Sequence, residues 1–238
     1  MKSNVLYDFI LSVGESVYQT LIYDNRYKFI LEGLFNTMII ALFAVILGII
    51  IGVLVALIRN NYDRNNKMKI LNFIVKWYVD IIRGTPIVLQ LMIIYYVVFK
   101  SVDVSVVLVG ILAFGINSGA YVSEIIRAGI QSIPIGQTEA GYALGLKYNQ
   151  VMSYIVLPQA FKNVLPALGN EFITLVKETS VGAYIGIIEL TKASDIIASR
   201  TYDYFFPLIL IAIIYLTITL GLSKGVQKLE RKLKHVRS

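Results

Sequence analysis

Residues 33–58 read GLFNTMIIALFAVILGIIIGVLVALI, without one charged side chain. As a helix this run is about 39 Å long, more than the ~30 Å hydrocarbon core of a bilayer. It has to cross a membrane. Gly48, Gly52 and Ala56 recur in it at four-residue spacing. That pattern is either a smooth face for close backbone approach or small residues scattered by chance. The rest of the chain agrees with the first run: 57% of its 238 residues are hydrophobic and only 16% are charged. There is no cysteine, so disulfides and thiolate metal sites are excluded.

A second apolar run extends over residues 70–99 and would be about 45 Å long as one helix. RGTP at residues 83–86 interrupts it, because proline lacks an N–H and disfavours helical geometry at Thr85. The expected shape is an interfacial first half, a kink, and a membrane-crossing second half. Lys76, Asp80 and Arg83 share one stripe of the first half and are left without an assigned role. Three more spans are expected near residues 104–127, 167–190 and 205–222.

Five spans put the termini on opposite sides. Thirteen of the 22 lysines and arginines fall in the turn after span one, the segment between spans three and four, and the tail. Six fall on the other side and three within spans. Positive charge marks the cytoplasmic side, so the expected N-terminus is outside and the tail inside. Topology accounts for most of the +7 net charge, and nucleic acid is not needed to explain it. The expected division is an extracytoplasmic segment 1–32, a transmembrane domain 33–222 and a basic tail 223–238. The first 32 residues, with Asp8, Glu15, Asp24 and Glu32, do not match a cleaved leader.

The cytoplasmic segment, about 132–162, contains EAGYALGLKYNQVMSYIVLP. A short helix is expected from Thr138, capped by it, with Gly141 and Gly145 leaving a flat strip; a second is expected to stop before Pro158. Taken alone, this is either a docking surface or an ordinary re-entry loop. Polar and small residues also line two spans: Gly110, Ala113, Asn117, Tyr121 and Glu124 in the third, and Glu171, Thr174, Glu178, Gly182, Gly186 and Glu189 in the fourth. Such faces meet either a cargo path or another helix. The outer glutamates, Glu171 and Glu189, are expected near the membrane edges and solvated.

The spacing Glu139-Ala140-Gly141, Gly145, and Leu157-Pro158 resembles the EAA motif of ABC-importer membrane subunits, with Gly141 in place of the usual alanine. EGLFNTM, RGTPIVLQL, SGAYVSEIIRAGIQSIPIGQTEA and LGNEFITLVKETSVGAYIGIIEL resemble the branch for polar amino acids of the histidine, glutamine and arginine type, basic cargo included. The resemblance implies an all-α membrane protein, the type I ABC importer fold, with five transmembrane helices and a cytoplasmic coupling helix. It implies a non-catalytic permease in a bacterial cell membrane, coupled through Glu139, Ala140, Gly141, Gly145, Leu157 and Pro158. Its implied partners are two ATP-binding cassette ATPase chains, a second permease (an identical copy or a close paralogue) and an extracytoplasmic amino-acid-binding protein. ATP and Mg²⁺ belong to the ATPase, and this chain needs no cofactor or metal.

For a zwitterionic cargo the candidate contacts are Thr85 at the break, Asn117, Tyr121, Glu124 and Ser180. The sequence has no phosphate loop, no HExxH and a single histidine, His235, so an enzyme is poorly supported. The rival reading is an ion-gradient-driven secondary transporter. Against it, five spans do not divide into two equal repeats and a docking loop would have no use.

Overall fold

The computed structural model describes residues 2–235, and of residues 2–6, 8, 9, 234 and 235 the backbone only; residues 236–238, the end of the basic tail, lie outside the described residues. Among the described residues there is no strand. The helices are α1 (Lys2–Val17), α2 (Tyr27–Asn65), α3 (Lys69–Gly84), α4 (Ile87–Ile93), α5 (Val106–Gln131), α6 (Ile135–Ala143), α7 (Tyr148–Val151), α8 (Leu157–Glu178), α9 (Leu190–Thr201) and α10 (Phe205–His235). Widened or tightened turns continue α4 to Val98, join α7 to α8, and extend α8 to Ile185.

The centre of the bundle is the contact of α2 with α5. Gly48 lies against Ser118, where an added Cβ would come within 2.7 Å of Oγ, and Gly52 lies against Val122 and the Ser123 backbone, where it would come within 2.5 Å of Val122. From the other helix, Gly115 and Gly119 receive Leu47 and Ile51. In lipid no hydrophobic drive brings two apolar helices together, so small residues that admit close van der Waals packing supply the association. The four-residue spacing of Gly48, Gly52 and Ala56 is such a surface, and all three are buried. Ile40, Ala41, Ala44, Ala113 and Phe114 complete the core around it.

This register also fixes the topology. Position 48 meets 118 and 52 meets 122, so α2 and α5 run in the same direction. The chain between them must therefore recross the bilayer, which makes α3 and α4 one broken span and not a re-entrant loop. The two are bent by 112° at Gly84–Pro86, as proline at that position requires. On α8, position 129 of α5 meets Val164 and Ser118 meets Glu171, so α8 returns antiparallel. On α10, Val226 meets Gly169 and Tyr215 reaches Glu189, so the direction reverses once more. The helix directions thus alternate as five crossings require; α2, α5 and α10 are each long and apolar enough to span, the bent α3–α4 pair makes a fourth, and α8, more polar, runs between α5 and α10.

The fourth crossing departs from its expected form. It begins at Leu157 and its α-helix ends at Glu178, giving way to a tight turn, a left-handed Gly186 (φ 85°), and then α9. The supposed single stripe from Glu171 to Glu189 is therefore broken. Gly182 packs on Ile187 instead, and Glu189 is fully buried. Its carboxylate caps α9, accepting from the Thr191 and Lys192 amides at 2.7 Å each and from the Tyr215 hydroxyl at 3.0 Å. It is not a solvated edge residue. Nor is Glu171, which accepts from Ser118 Oγ at 2.8 Å.

Replacing Gly52 with leucine overpacks the α2–α5 contact and is expected to destabilise the detergent-solubilised protein by about 1–3 kcal/mol, read as a lowered melting temperature. Gly221→Ala, where nothing lies within 4 Å of the added methyl, is the control and does not lower it.

Candidate functional site

Halfway along α5, the break between α3 and α4 exposes backbone groups that no helix can satisfy. Pro86 has no N–H to give, so the last carbonyls of α3 need other donors. Thr85 Oγ1 donates to Ile81 O at 2.8 Å. The amide of Gln90, one turn into α4, lies 2.8 Å from Ile82 O, 3.0 Å from Thr85 O and 2.8 Å from Thr85 Oγ1. Its oxygen accepts from Asn117 Nδ2 at 2.9 Å. Gln90 and Asn117 are buried, while Thr85 is exposed. The result is a polar strip of hydroxyl, amide and side-chain-bonded carbonyl groups at mid-bundle, open on the Thr85 side.

Toward the end of α5 lies a second cluster. Glu124 bonds Arg59 of α2 directly, and Arg83 and Arg127 stand 3.9 Å from its other oxygen. Arg127 also pairs with Asp63 at 3.7 Å. The Arg83 guanidinium covers the Tyr121 ring at 5.5 Å. Glu124 is thus not a lone carboxylate awaiting a cation: three arginines already face it. Of Lys76, Asp80 and Arg83, Arg83 joins this cluster, and the other two are exposed. Ser180 stands apart from both groups, on the wall of a cavity of about 460 Å³ with Tyr184, Thr191, Lys192, Asp195 and Tyr204. So the structure brings Thr85 and Asn117 together, sets Tyr121 and Glu124 beside Arg83, and separates Ser180.

The segment between α5 and α8 is a helical hairpin. Its first helix, α6, starts at Ile135 after Pro134, which leaves Thr138 inside the helix and not at its cap. Gly141 is buried, and a methyl there would meet Val151 at 2.8 Å and Ile155 at 3.0 Å. Gly145 lies beyond the helix with φ 80°, its N–H bonding Tyr142 O at 2.9 Å while Leu146 N–H bonds Gly141 O at 3.1 Å. That pair of bonds is a left-handed helix stop, which glycine alone adopts at no steric cost. Gly141 and Gly145 therefore do not form the expected flat strip: one closes the hairpin and the other ends the helix. Pro158 does not stop α7 either. The turn over Met152–Val156 widens, and Pro158 falls in the first turn of α8, where no N–H is required. Exposed on the hairpin are Glu139 and Ala140 together with Ile135, Tyr142, Leu144, Tyr154 and Leu157, with Leu144 80% exposed.

A chain with five crossings, a broken second span and an apolar-faced hairpin between spans three and four can be compared with known proteins. The family described as binding-protein-dependent transport system inner membrane component matches residues 44–235. The chain belongs to that family. A Rickettsia typhi protein named as a glutamine transport system permease, GlnP, is 40% identical over 207 residues, 86% of this chain and 93% of its own. The Bacillus subtilis arginine transport system permease ArtQ is 40% identical over 208 residues, 87% of this chain and 93% of its own. The crystal structure of an amino acid ABC transporter with histidines superposes with a TM-score of 0.80 at 40% identity, covering 87% of this chain and 94% of that one. The inward-facing MetNI methionine transporter shares the fold, with a TM-score of 0.70 at 19% identity.

This ABC-importer permease is the inner-membrane component of a binding-protein-dependent transport system, a family that implies an ATPase and a binding protein as partners. Several of its functional-looking residues are not evident from sequence patterning. Gln90 reads as one polar residue in an oily run, and only the break gives it four partners. The hairpin's outward residues are apolar and look like core. The EGLFNTM stretch acquires a role too: Gly33 lets α2 touch the Glu189 backbone, which lies 2.9 Å from an added Cβ. Asn36 Nδ2 donates to Ile188 O at 2.8 Å.

Gln90→Met keeps the size of the side chain and removes the donor to Ile82 O and Thr85 O, leaving only the Thr85–Ile81 bond at the break. It leaves the buried Asn117 amide unpaired, at a cost of about 1–3 kcal/mol. A melting temperature equal to that of the unaltered chain would contradict the role given to Gln90.

Proposed function

We propose that this permease carries polar amino acids and that cargo passes along the break between α3 and α4. The observation that carries the reading is the Thr85–Gln90–Asn117 strip, a set of neutral donors and acceptors held open at mid-bundle by a broken helix. Polar groups at that depth are costly in lipid and are found where they line a path or meet a partner. Relatives named for glutamine and arginine transport point to the same cargo class. Thr85 and Asn117 are the proposed central contacts, Ser180 meets cargo from the outer cavity, and Tyr121 and Glu124 flank the exit.

The N-terminus lies outside and α10 ends in the cytoplasm, because the hairpin, the α2–α3 turn and the tail hold most of the lysines and arginines. The hairpin docks on the ATPase. Its apolar face of Ile135, Tyr142, Leu144, Tyr154 and Leu157 is the kind of exposed patch that marks a protein interface. Five helices make too thin a wall for a pore, so two permease chains pair and two ATPase chains sit beneath them. ATP and Mg²⁺ are bound by the ATPase; this chain supplies the path and performs no chemistry.

The experiment is to co-express this chain with an ATP-binding cassette ATPase and the binding protein, purify the complex, and measure hydrolysis with single amino acids. Hydrolysis stimulated several-fold by one polar amino acid supports the reading; a complex indifferent to all of them defeats it. In the same assay, Gly145→Val strains the left-handed stop by about 1–2 kcal/mol and displaces Leu144. The expected outcome is a chain still inserted in the membrane that no longer co-elutes with the ATPase.

A further inference from the structure

We infer that Arg59, Glu124 and Arg83 form an ionic clamp that passes movement of the docking hairpin to the helix break. They are then positioning residues of transport, not cargo contacts. The inference rests on the reading of the break as the cargo path.

A continuous set of contacts leads from the hairpin to the break. Tyr148, the first residue of α7, accepts from Asn60 Nδ2 at 3.1 Å, and the Arg64 guanidinium lies 3.7 Å over its ring. Arg64 also reaches Asn149 at 3.5 Å. Asn60 and Arg64 therefore tie the cytoplasmic end of α2 to the hairpin. Arg59, next to Asn60, bonds Glu124 of α5. Glu124 faces Arg83 of α3 at 3.9 Å, and Arg83 precedes the Gly84–Pro86 break whose Thr85 meets Gln90.

The charges in this line are only part-solvated, with the Arg59 and Glu124 side chains 17% and 28% exposed and Arg83 at 44%. Partly buried charges among apolar helices are retained at a cost, and removing one strands its partner. Packing of Val55, Val75, Val79 and Ala120 already holds α2, α3 and α5 together nearby. The ions are thus not needed as glue alone. They are also unequal. Arg59 is in direct contact, whereas Arg83 and Arg127 wait at 3.9 Å, and Arg127 has Asp63 as a second choice. One carboxylate facing one close and two more distant guanidinium groups is able to exchange partners. Such an element is what coupling between distant sites requires. A pull on α2 that loosens Arg59 lets Glu124 draw Arg83, and with it the end of α3, across the bundle.

The test uses the complete complex in vesicles and reads two quantities: cargo moved per ATP hydrolysed, and the cargo concentration at half-maximal rate. Arg59→Gln, Glu124→Gln and Arg83→Gln are each expected to lower cargo per ATP by roughly 5- to 150-fold, with half-saturation within about twofold of the parent. Arg59→Gln/Glu124→Gln together should be no worse than either alone, because members of one unit are not additive. Tyr148→Phe deletes a single hydroxyl, and it keeps the test open if the charge variants fail to assemble: it should lower cargo per ATP with assembly intact. Multiplicative losses in the double variant, a shifted half-saturation with unchanged cargo per ATP, or parental coupling in Tyr148→Phe would each overturn the clamp. A parent complex that moves no amino acid sinks the path reading and the clamp together, whereas a coupled parent with indifferent variants sinks the clamp alone.

Discussion

Everything in this permease is referred to the close approach of α2 and α5. Gly48 and Gly52 on one helix and Gly115 and Gly119 on the other bring two backbones together where an ordinary side chain has no room. Because lipid offers apolar helices no reason to prefer one another, this interlock is what distinguishes one arrangement from many. It sets the two helices parallel. It thereby forces the intervening chain to cross the bilayer, and it fixes where Asn117 and Glu124 stand relative to that chain. The broken second span has its position because the first and third leave it no other.

The break is then a local conflict made stable. Proline ends α3 inside the bundle, and the carbonyls it abandons would each cost free energy if left bare. Thr85 answers from four residues away and Gln90 from five and eight, and Asn117 anchors the answer to α5. The same groups that repair the helix are the ones able to meet a polar solute. Further along the chain, the buried Glu189 performs a comparable repair at the start of α9, with Tyr215 as its partner from α10. The break and the start of α9 are thus both helix termini whose backbone groups are completed by side chains.

How much of this could be read in the chain depended on the range of the interaction. The crossings at α2, α5 and α10, the kink at RGTP and the membership of the ABC-importer family are all local or linear signals, and they were legible. So was the small-residue face of α2, though not its partner. The fourth crossing was misplaced by about ten residues, because Lys162, Glu171, Lys177 and Glu178 dilute its apolar character and Gly186 hides the end of the tight turn. Thr138 before Glu139 imitates a cap, but Pro134 already starts the helix. The two hairpin glycines were given one shared purpose, although one needs room and the other a positive φ. Arg127, three residues on, is the one partner of Glu124 that the sequence places beside it; Arg59 is 65 residues away, and Arg83 lies on another helix. Long-range pairing of charges leaves no mark on a single helix.

The most direct measurement of the central claim is uptake by sealed vesicles holding this permease with its ATPase and binding protein, with labelled amino acid as cargo and every ion gradient collapsed by ionophores. The account predicts accumulation that requires ATP on the hairpin side and is indifferent to the ionophores. Accumulation that needs no ATP and vanishes when a proton or sodium gradient is dissipated would contradict it.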